Sequence, residues 1–284
     1  MPPVVFVMLG AGALLHALWN VLLKRSEDPL ATATRAMGFG LLVVTPLAAI
    51  AWWLTGRPTL SLPALGLAAG SAVVELLYFI FLSAAYRRGD LSTVYPIARG
   101  TAPLIAVAIG LLILGERLHQ GAYLGVALLV AGIWLVRRPA GTGPAVRFAA
   151  FTGVTIAAYS AIDRLGVQAA SALAYGWVLW VLTFVLLQAW VRVTPRIARR
   201  DATSAGARAP GRDAVLGIAM LGAWLLALGA LSLAPVAAVV PVRESAIVLV
   251  TGWGVVRMGE REGAAGRVLG ALAIAAGVVV MAVA

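Results

Sequence analysis

Long apolar segments separated by short polar breaks run through the whole chain. A membrane-spanning α-helix needs about 17 to 25 mostly apolar residues. On this criterion we predict ten spans, at residues 3–23, 31–54, 63–86, 93–114, 120–136, 147–166, 173–191, 214–232, 236–256 and 265–283. The breaks between them are rich in charge, glycine and proline, as is typical of turns. The segments are continuously apolar, whereas strands of a transmembrane barrel alternate, so the pattern excludes a β-barrel.

The composition agrees with a membrane protein. Hydrophobic residues make up 62% of the chain and charged residues only 12%, about half the charged share of soluble domains. The net charge is +11, which in a soluble protein would indicate nucleic acid. Here we assign the charge to cytoplasmic loops and expect the lipid bilayer, not nucleic acid, as the partner. The chain has no cysteine, which excludes disulfides and cysteine-bound metals.

The positions of lysine and arginine predict how the chain crosses the membrane. With ten crossings, sixteen of these residues fall on one side and three on the other. Because loops rich in lysine and arginine stay in the cytoplasm, the richer side is expected to be cytoplasmic. The long polar segment 192–213 is then a cytoplasmic loop, and both termini lie outside the cytoplasm.

Two stretches of the chain resemble each other. A shift of 144 positions places Arg99 on Arg243, and the Gly-Glu-Arg sequence at 115–117 on the one at 259–261. This repeat divides the chain into halves of five predicted spans each, at residues 1–140 and 141–284. Because five is odd, the second half must cross the membrane in the opposite direction. Such inverted repeats in transporters place the substrate site between the halves.

Ionisable residues inside the predicted spans are the first functional candidates, since a charge there costs at least about 2.5–3.5 kcal/mol. They are His16, Glu75, Arg99, Asp163, Arg243 and Glu244. Arg99 and Arg243 each follow a proline, which frees backbone carbonyl groups in the preceding turn. Each guanidinium either satisfies those carbonyls or binds a substrate carboxylate with two parallel hydrogen bonds.

The acidic candidates each have a structural and a functional interpretation. Glu75 either forms an ion pair with an arginine or gains and loses a proton. Glu244 follows Arg243 directly, and neighbours on a helix point about 100° apart, so one of the two is expected to pair with another helix. Asp163 and Arg164 lie near a span end, where a local ion pair is the simpler interpretation.

Aromatic residues form the second set of candidates. Those near span ends fit an interfacial belt, and they are Trp52, Trp53, Tyr86, Tyr123, Trp134 and Trp190. Those within spans either pack helices together or line a cavity for flat or cationic solutes, and they are Trp19, Tyr78, Tyr95, Tyr159, Trp177, Trp180 and Trp224. Trp19 and Tyr159 occupy matching positions in the two halves, so we expect them to approach each other near the axis relating the halves.

Other functional classes lack their signatures in this sequence. There is no GxxxxGK[ST] loop for ATP. There is no HExxH, histidine cluster or paired-aspartate metal motif, so we predict no metal, no cofactor and no catalytic residue. No selectivity-filter sequence supports a channel. A membrane-embedded lipid-modifying enzyme is the remaining alternative from a different class.

The repeated motifs resemble the drug/metabolite transporter superfamily, in its EamA-like branch. The features that carry the resemblance are the Gly-Glu pair ending the fourth and ninth spans and two glycines seven residues apart in the next span. These glycines are Gly125 and Gly132 in the first half, and Gly270 and Gly277 in the second. The sequence is also similar to bacterial inner-membrane exporters of aromatic amino acids. This resemblance implies an all-α integral membrane fold of ten helices, with two inverted five-helix repeats around a central cavity and spans five and ten outside it.

The resemblance also implies a function. It implies secondary transport that exports aromatic or neutral amino acids and related metabolites by alternating access, with uniport and proton coupling both open. The substrate-binding candidates are Trp19, Asn20, Tyr78, Tyr95, Arg99, Tyr159, Trp177 and Arg243, and the proton or charge partners are His16, Glu75 and Glu244. Glu116 and Glu260 are expected to shape the turns at their helix ends. The protein would be a monomer or a homodimer.

The alternative within this fold is a broad exporter of drugs or organic cations coupled to protons. An uncompensated Glu75 or Glu244 facing the cavity would favour organic cations. Arginines facing the cavity would favour amino acids, because their carboxylates need a cationic partner.

Overall fold

The chain is built from α-helices joined by short turns. The structure, a computed structural model, describes residues 1–56, 59–89, 91–136, 143–194, 210–244 and 264–283. The helices within these ranges are α1 (Pro3–Lys24), α2 (Pro29–Leu54), α3 (Leu62–Arg88), α4 (Leu91–Ala108), α5 (Gln120–Val136), α6 (Pro144–Ala169), α7 (Ala172–Val193), α8 (Pro210–Leu233), α9 (Val236–Glu244) and α10 (Ala264–Val283). No β-strand occurs in the described ranges. Their ends lie within about one turn of the predicted segments, with the ninth segment described only as far as Glu244.

Six of these helices are long and apolar enough to cross a membrane. They are α1, α2, α3, α6, α7 and α8. Shorter apolar helices lie at Ile97–Ile113, Gln120–Leu135 and Leu269–Met281. The described helices therefore make the chain a multi-pass membrane protein. Most of the loop predicted between α7 and α8 lies outside the described residues.

Helix starts follow the local sequence. The carboxylate of Asp28 accepts a hydrogen bond from the Ala31 amide at 3.1 Å, just before α2. The hydroxyl of Ser61 does the same for Ala64 at the start of α3, at 3.3 Å. Such side chains satisfy amide groups that have no partner within the first turn of a helix. These two turns therefore fix where α2 and α3 begin.

The helices of the two halves of the chain pack across one another. Helix α3 packs on α6 and α7, whereas α8 packs on α1 and α2. Helix α4 packs on α9, and α5 packs on α10. Residues that are distant in sequence are thereby brought together around α3, α4, α6 and α9.

The contact between α5 and α10 brings two backbones together. A Cβ atom added to Gly132 would lie 2.6 Å from the carbonyl oxygen of Gly270. One added to Gly277 would lie 2.7 Å from the carbonyl oxygen of Gly125. Small residues permit this close approach in membrane proteins. The glycine spacing in the sequence thus forms a helix contact within the chain.

The end of α4 departs from α-helical geometry. Residues Ile109–Ile113 form a π-helical turn, and the chain then reverses at Gly115, whose φ is +63°. Upstream of this turn the backbone stays α-helical through position 96, and α9 stays helical around Pro241. The predicted weakening at the prolines therefore produces no break in either helix. The break in α-helical hydrogen bonding lies instead at the π-helical turn, a feature often found near functional sites.

Candidate functional site

Three charged side chains meet where α4 packs on α9. Arg99 Nη1 lies 2.5 Å from Oε2 of Glu244, and Arg243 Nε lies 3.0 Å from Oε1 of the same carboxylate. The three side chains are almost fully buried. One carboxylate thus holds two guanidinium groups, and the triad has a net charge of one positive unit. As predicted, one member of the neighbouring Arg243–Glu244 pair reaches another helix, and the two also contact each other.

Helix α6 supplies the next layer around the arginines. Arg243 Nη2 donates a hydrogen bond to Ser160 Oγ at 3.1 Å, and Ser160 donates to a backbone carbonyl one turn earlier. The guanidinium of Arg243 lies 5.9 Å from the ring centre of Tyr159, and that of Arg99 lies 5.2 Å from Tyr95. At these distances the ring faces attract the cations. Hydroxyl and aromatic groups therefore hold both guanidinium groups in place.

Three aromatic rings form a buried cluster next to Arg243. The ring centres of Tyr78 and Tyr159 are 5.7 Å apart, and Trp224 lies 6.2 Å from Tyr78 and 6.0 Å from Tyr159. Tyr78 meets each partner close to edge-on, at interplanar angles of 80° and 76°. This geometry is favourable for aromatic pairs. We call these three rings the aromatic cluster.

A second polar group lies on α1 and reaches α3. Trp19 Nε1 donates a hydrogen bond to His16 Nδ1 at 2.6 Å. Because an indole nitrogen can only donate, Nδ1 must be unprotonated, and His16 is neutral here. Asn20 accepts a hydrogen bond from the hydroxyl of Tyr86 at 2.7 Å. The interfacial position predicted for Tyr86 is therefore wrong, since its side chain is buried and its polar end satisfies Asn20.

A narrow crevice connects these two groups. It is too narrow to hold a water molecule. Its lining residues are Met8, Leu9, Gly12, His16, Ala223, Ala227 and Arg243. The described residues around Arg243 thus form an occluded arrangement, with no room in this crevice for a substrate.

Glu116, in the connection after α4, binds the start of α9. Its two carboxylate oxygens accept hydrogen bonds from the amides of Val236 at 2.8 Å and Ala237 at 3.0 Å. These amides begin a helix, where partners within the helix are missing and negative charge is stabilised. Arg164 Nε lies 3.5 Å from the same carboxylate. Glu116 therefore connects its turn to the start of α9, beyond the predicted role of shaping that turn. Glu260 lies outside the described residues.

Lys24 and Arg164 each bind the end of a neighbouring helix. Lys24 Nζ donates to the carbonyl oxygen of Tyr86 at 2.7 Å, near the end of α3. Arg164 Nη1 donates to the carbonyl oxygen of Leu231, near the end of α8. The local ion pair predicted between Asp163 and Arg164 is wrong, because these neighbours point to different sides of α6.

Asp163 and Glu75 instead form a buried acidic site between α3, α6 and α7. Asp163 Oδ1 accepts hydrogen bonds from Ser71 Oγ at 2.6 Å and from the Tyr175 hydroxyl at 2.9 Å. Glu75 Oε2 accepts one from Thr183 Oγ1 at 2.9 Å, and its Oε1 has no hydrogen-bond partner among the described residues. The arginine partner considered for Glu75 is therefore wrong. Arg99 and Arg243 both form ion pairs with Glu244 instead.

Comparison with known proteins identifies the fold. Residues 3–138 match the EamA-like transporter family. The first part of the chain, just under half of its length, is therefore similar to EamA-like transporters. The match confirms the resemblance to the drug/metabolite transporter superfamily inferred from the motifs, while the aromatic amino acid branch stays a prediction. The EamA-like family consists of membrane transporters of small molecules.

A solved structure shares the fold of nearly the whole chain. A crystal structure 18% identical in sequence superposes on this chain with a TM-score of 0.66. The superposition covers 97% of this chain and 98% of the other. In all, 28 chains of solved structures are similar to it. A search of curated protein sequences finds no match.

The structure brings most of the binding candidates predicted from the sequence together, but not all. Those at or beside the arginines are Tyr78, Tyr95, Arg99, Tyr159, Arg243 and Glu244, with His16, Trp19 and Asn20 in the adjoining group on α1. Trp177 is only partly buried, and its indole donates to Thr45 Oγ1 on α2 at 3.1 Å. Trp224 and Ser160 were not among the binding candidates. The placement of Trp224 within a span was the only sequence signal for its role.

The Arg243 side chain offers a direct test of this geometry. We expect Arg243→Lys to lower the free energy of unfolding by about 1.5–3 kcal/mol, the value of a hydrogen bond to a charged group. A lysine ammonium cannot reach Glu244 and Ser160 with the fixed fork of a guanidinium. Thermal unfolding of the purified protein would measure the loss. Arg87→Lys, at an exposed position, is the control, and equal melting temperatures in the two variants would contradict the expectation.

Proposed function

We propose that this protein exports aromatic or other neutral amino acids and related metabolites across the bacterial inner membrane. The observation that carries the proposal is the position of Arg99 and Arg243, which share one carboxylate beside the aromatic cluster. An amino acid offers the matching chemistry, because its carboxylate pairs with a guanidinium. An aromatic side chain would then contact Tyr159 and its neighbours.

The charge of the triad favours an incoming carboxylate. Two guanidinium groups and one carboxylate leave one positive charge in a region where unpaired charge is costly. A substrate carboxylate would neutralise it by taking over one guanidinium from Glu244. Ring contacts with the substrate would add about 0.5–1.5 kcal/mol per aromatic pair. The site would therefore select for a carboxylate and a flat apolar group together.

We further propose that residues 1–140 and 141–284 form two inverted repeats that make ten crossings. The helix contacts support this. In the proposed repeat α3 corresponds to α8 and α6 corresponds to α1, and the structure has both the α3–α6 contact and the equivalent α8–α1 contact. The glycines support it too. Gly125 corresponds in sequence to Gly270 but packs on Gly277, and Gly132 corresponds to Gly277 but packs on Gly270. Such reciprocal contacts are typical of a two-fold axis.

Alternating access would then break contacts at one end of the bundle at a time. With both termini outside the cytoplasm and the 192–213 loop inside it, Glu116 and Arg164 lie at the outer end. Their bonds to α9 and α8 would open when the site faces outward. The bond of Lys24 to the end of α3 would open when the site faces the cytoplasm. The occluded arrangement described above would be the intermediate between these two states.

The second candidate function is export of organic cations coupled to protons. The unpartnered oxygen of Glu75 favours it, since a buried carboxylate without a cation can attract one. The aromatic cluster would also bind a flat cation. Glu244 does not favour it, because two arginines already compensate its charge.

Counterflow in proteoliposomes would decide between these functions. The purified protein is reconstituted into vesicles preloaded with unlabelled L-phenylalanine, L-tryptophan, L-leucine or tetraphenylphosphonium, and entry of the same labelled solute is followed. We expect exchange of the aromatic amino acids, with protein-free vesicles as the control. Exchange of tetraphenylphosphonium alone would overturn the amino acid proposal and support the second candidate.

The aromatic cluster gives a prediction for the same assay. Tyr159→Leu removes a ring that contacts both Tyr78 and Trp224, so we expect the KM for L-phenylalanine to rise roughly threefold to tenfold. Trp52→Leu is the matched control, at a side chain that is 46% exposed near a helix end. Equal KM values in the two variants would remove the aromatic cluster from the binding site.

A further inference from the structure

An open groove runs along the outside of the helix bundle, between α2 and α7. Its volume is about 600 Å³, which is within the range of sites that bind small molecules. The wall on α2 is made by residues at three- and four-residue intervals, which lie on one helix face, and they are Arg35, Phe39, Leu42 and Pro46. The wall on α7 includes Phe184 and Gln188. This groove is separate from the arginines and the aromatic cluster.

Two contacts between the helices define the direction of the groove. A Cβ atom added to Gly38 would lie 3.1 Å from the ring of Phe184. Farther along α2, Thr45 Oγ1 accepts a hydrogen bond from Trp177 Nε1 at 3.1 Å. Residue numbers rise on α2 as they fall on α7, so the two helices are antiparallel. The start of α2 and the end of α7 therefore form the same end of the groove.

The groove is as long as one leaflet of a membrane is thick. From Arg35 to Pro46 the helix advances by eleven residues, or about 16 Å at 1.5 Å per residue. Half of the hydrocarbon core of a bilayer is about 15 Å. Arg35 and Gln188 are polar groups at one end, and the wall beyond them is mostly apolar. A polar end followed by an apolar channel of this length matches a phospholipid, with its headgroup and one acyl chain.

Arginines surround the polar end of the groove. The Arg35 side chain is 44% exposed although its Nε lies 2.8 Å from Oδ2 of Asp213, so it presents part of its guanidinium to the groove. Arg192 follows Gln188 by four residues and so lies on the same face of α7. Arg192 is exposed, and it forms no ion pair within the part of the chain that the structure describes. This end can therefore offer two guanidinium groups to an anion.

The neighbouring residues keep this end positive. Arg212 is exposed and directly precedes Asp213 at the start of α8. Three arginines then face one aspartate. The turn at residues 24–28 holds two basic and two acidic residues, so it leaves the excess of two positive charges unchanged. In the predicted orientation this end faces the cytoplasm, on the side of the leaflet that carries anionic lipids.

We propose that the groove between α2 and α7 binds one anionic phospholipid. The phosphate would lie at Arg35 and Arg192, because a guanidinium matches the geometry of a phosphate. One acyl chain would lie along Phe39, Leu42 and Phe184. The choice of the cytoplasmic leaflet rests on the predicted orientation, whereas the binding does not. Neither depends on the proposed export function.

The headgroup contact can be tested by native mass spectrometry of the purified, delipidated protein. The probes are phosphatidylglycerol and phosphatidylcholine with identical acyl chains, and we expect the wild type to bind one phosphatidylglycerol in preference. Arg192→Gln should lower the affinity for phosphatidylglycerol about fivefold, the value of one basic residue near an anionic lipid surface. Arg87→Gln, at an exposed position on α3, is the matched control. Arg192 is the better target because loss of Arg35 would leave Asp213 buried without its partner.

The acyl-chain contact can be tested with a variant that fills the groove. The side chain of Leu42 is exposed and lines the groove, whereas that of Leu47 is exposed on α2 but does not line it. We expect Leu42→Trp to lose retention of phosphatidylglycerol, since the indole occupies the place of the chain. Leu47→Trp adds the same ring elsewhere on the helix and should retain the lipid.

Three outcomes would overturn the lipid site. The first is equal affinity of the wild type for the two lipids. The second is an unchanged affinity for phosphatidylglycerol in both Arg192→Gln and Leu42→Trp. The third is a wild-type dimer that Leu42→Trp disrupts and Leu47→Trp does not, which would assign the groove to a second copy of this chain. None of these measurements requires transport, so each outcome leaves the test of the export function independent.

Discussion

Replacing Glu244 with glutamine is expected to destabilise the protein by about 3–5 kcal/mol, the cost of leaving buried charge without its partner. The carboxylate is the shared acceptor of Arg99 at 2.5 Å and Arg243 at 3.0 Å. A neutral amide keeps the shape of the side chain but leaves two guanidinium groups facing each other without a counter-charge. The loss should therefore exceed that of any other isosteric change at the site.

The measurement is thermal unfolding in detergent micelles together with the yield of monodisperse protein. Glu27→Gln makes the same chemical change at an exposed turn and should leave both unchanged. The double variant Arg99→Gln/Glu244→Gln leaves one unpaired guanidinium instead of two. It should therefore lose less stability than the two single variants added together, whereas strict additivity would mean that the two residues do not interact.

Replacing Gly217 with alanine is expected to separate α2 from α8. A Cβ atom there would overlap the carbonyl group of Ala36 and lie 2.9 Å from the amide nitrogen of Gly40. Both neighbours are backbone atoms, so no rotamer change can relieve the contact. Overpacking by one methyl group costs about 1–3 kcal/mol where side chains can adjust, and here we expect at least the upper value.

Gly70→Ala on α3 is the matched control for this change. A Cβ atom at Gly70 meets nothing within 4 Å, and alanine favours a helix by up to about 1 kcal/mol over glycine. We expect the two variants to shift the melting temperature in opposite directions. A melting temperature of Gly217→Ala equal to that of the wild type would show that α2 and α8 are not in backbone contact.

The helices and the central arginines could be predicted from sequence because each has a strong local signal. Apolar length gave the helix segments, and the cost of charge in a bilayer marked Arg99, Arg243 and Glu244. The repeat at 144 positions related the two arginines before any contact was known. The sequence could not predict that both arginines form ion pairs with Glu244, because this depends on the distance between α4 and α9 once they pack.

The errors share a physical cause, which is that pairing between helices depends on rotation about each helix axis. Asp163 and Arg164 are neighbours in sequence, yet one bonds to Ser71 and Tyr175 and the other reaches Leu231. Apolar spans as uniform as these give little information on which face is buried. The same uncertainty placed Tyr86 at the interface, although it is buried against Asn20.

The backbone contact between α5 and α10 has a consequence for motion of the whole molecule. Glycine backbones touch at two levels of the crossing, and the side chains of Leu129, Ile274 and Met281 pack directly against the glycines of the facing helix. Sliding by one turn would force bulkier residues such as Leu129 and Ile274 into the space that these glycines leave. We therefore expect the two helices to move as one stiff unit, so that an opening of the centre would come from rotation of the remaining helices relative to it.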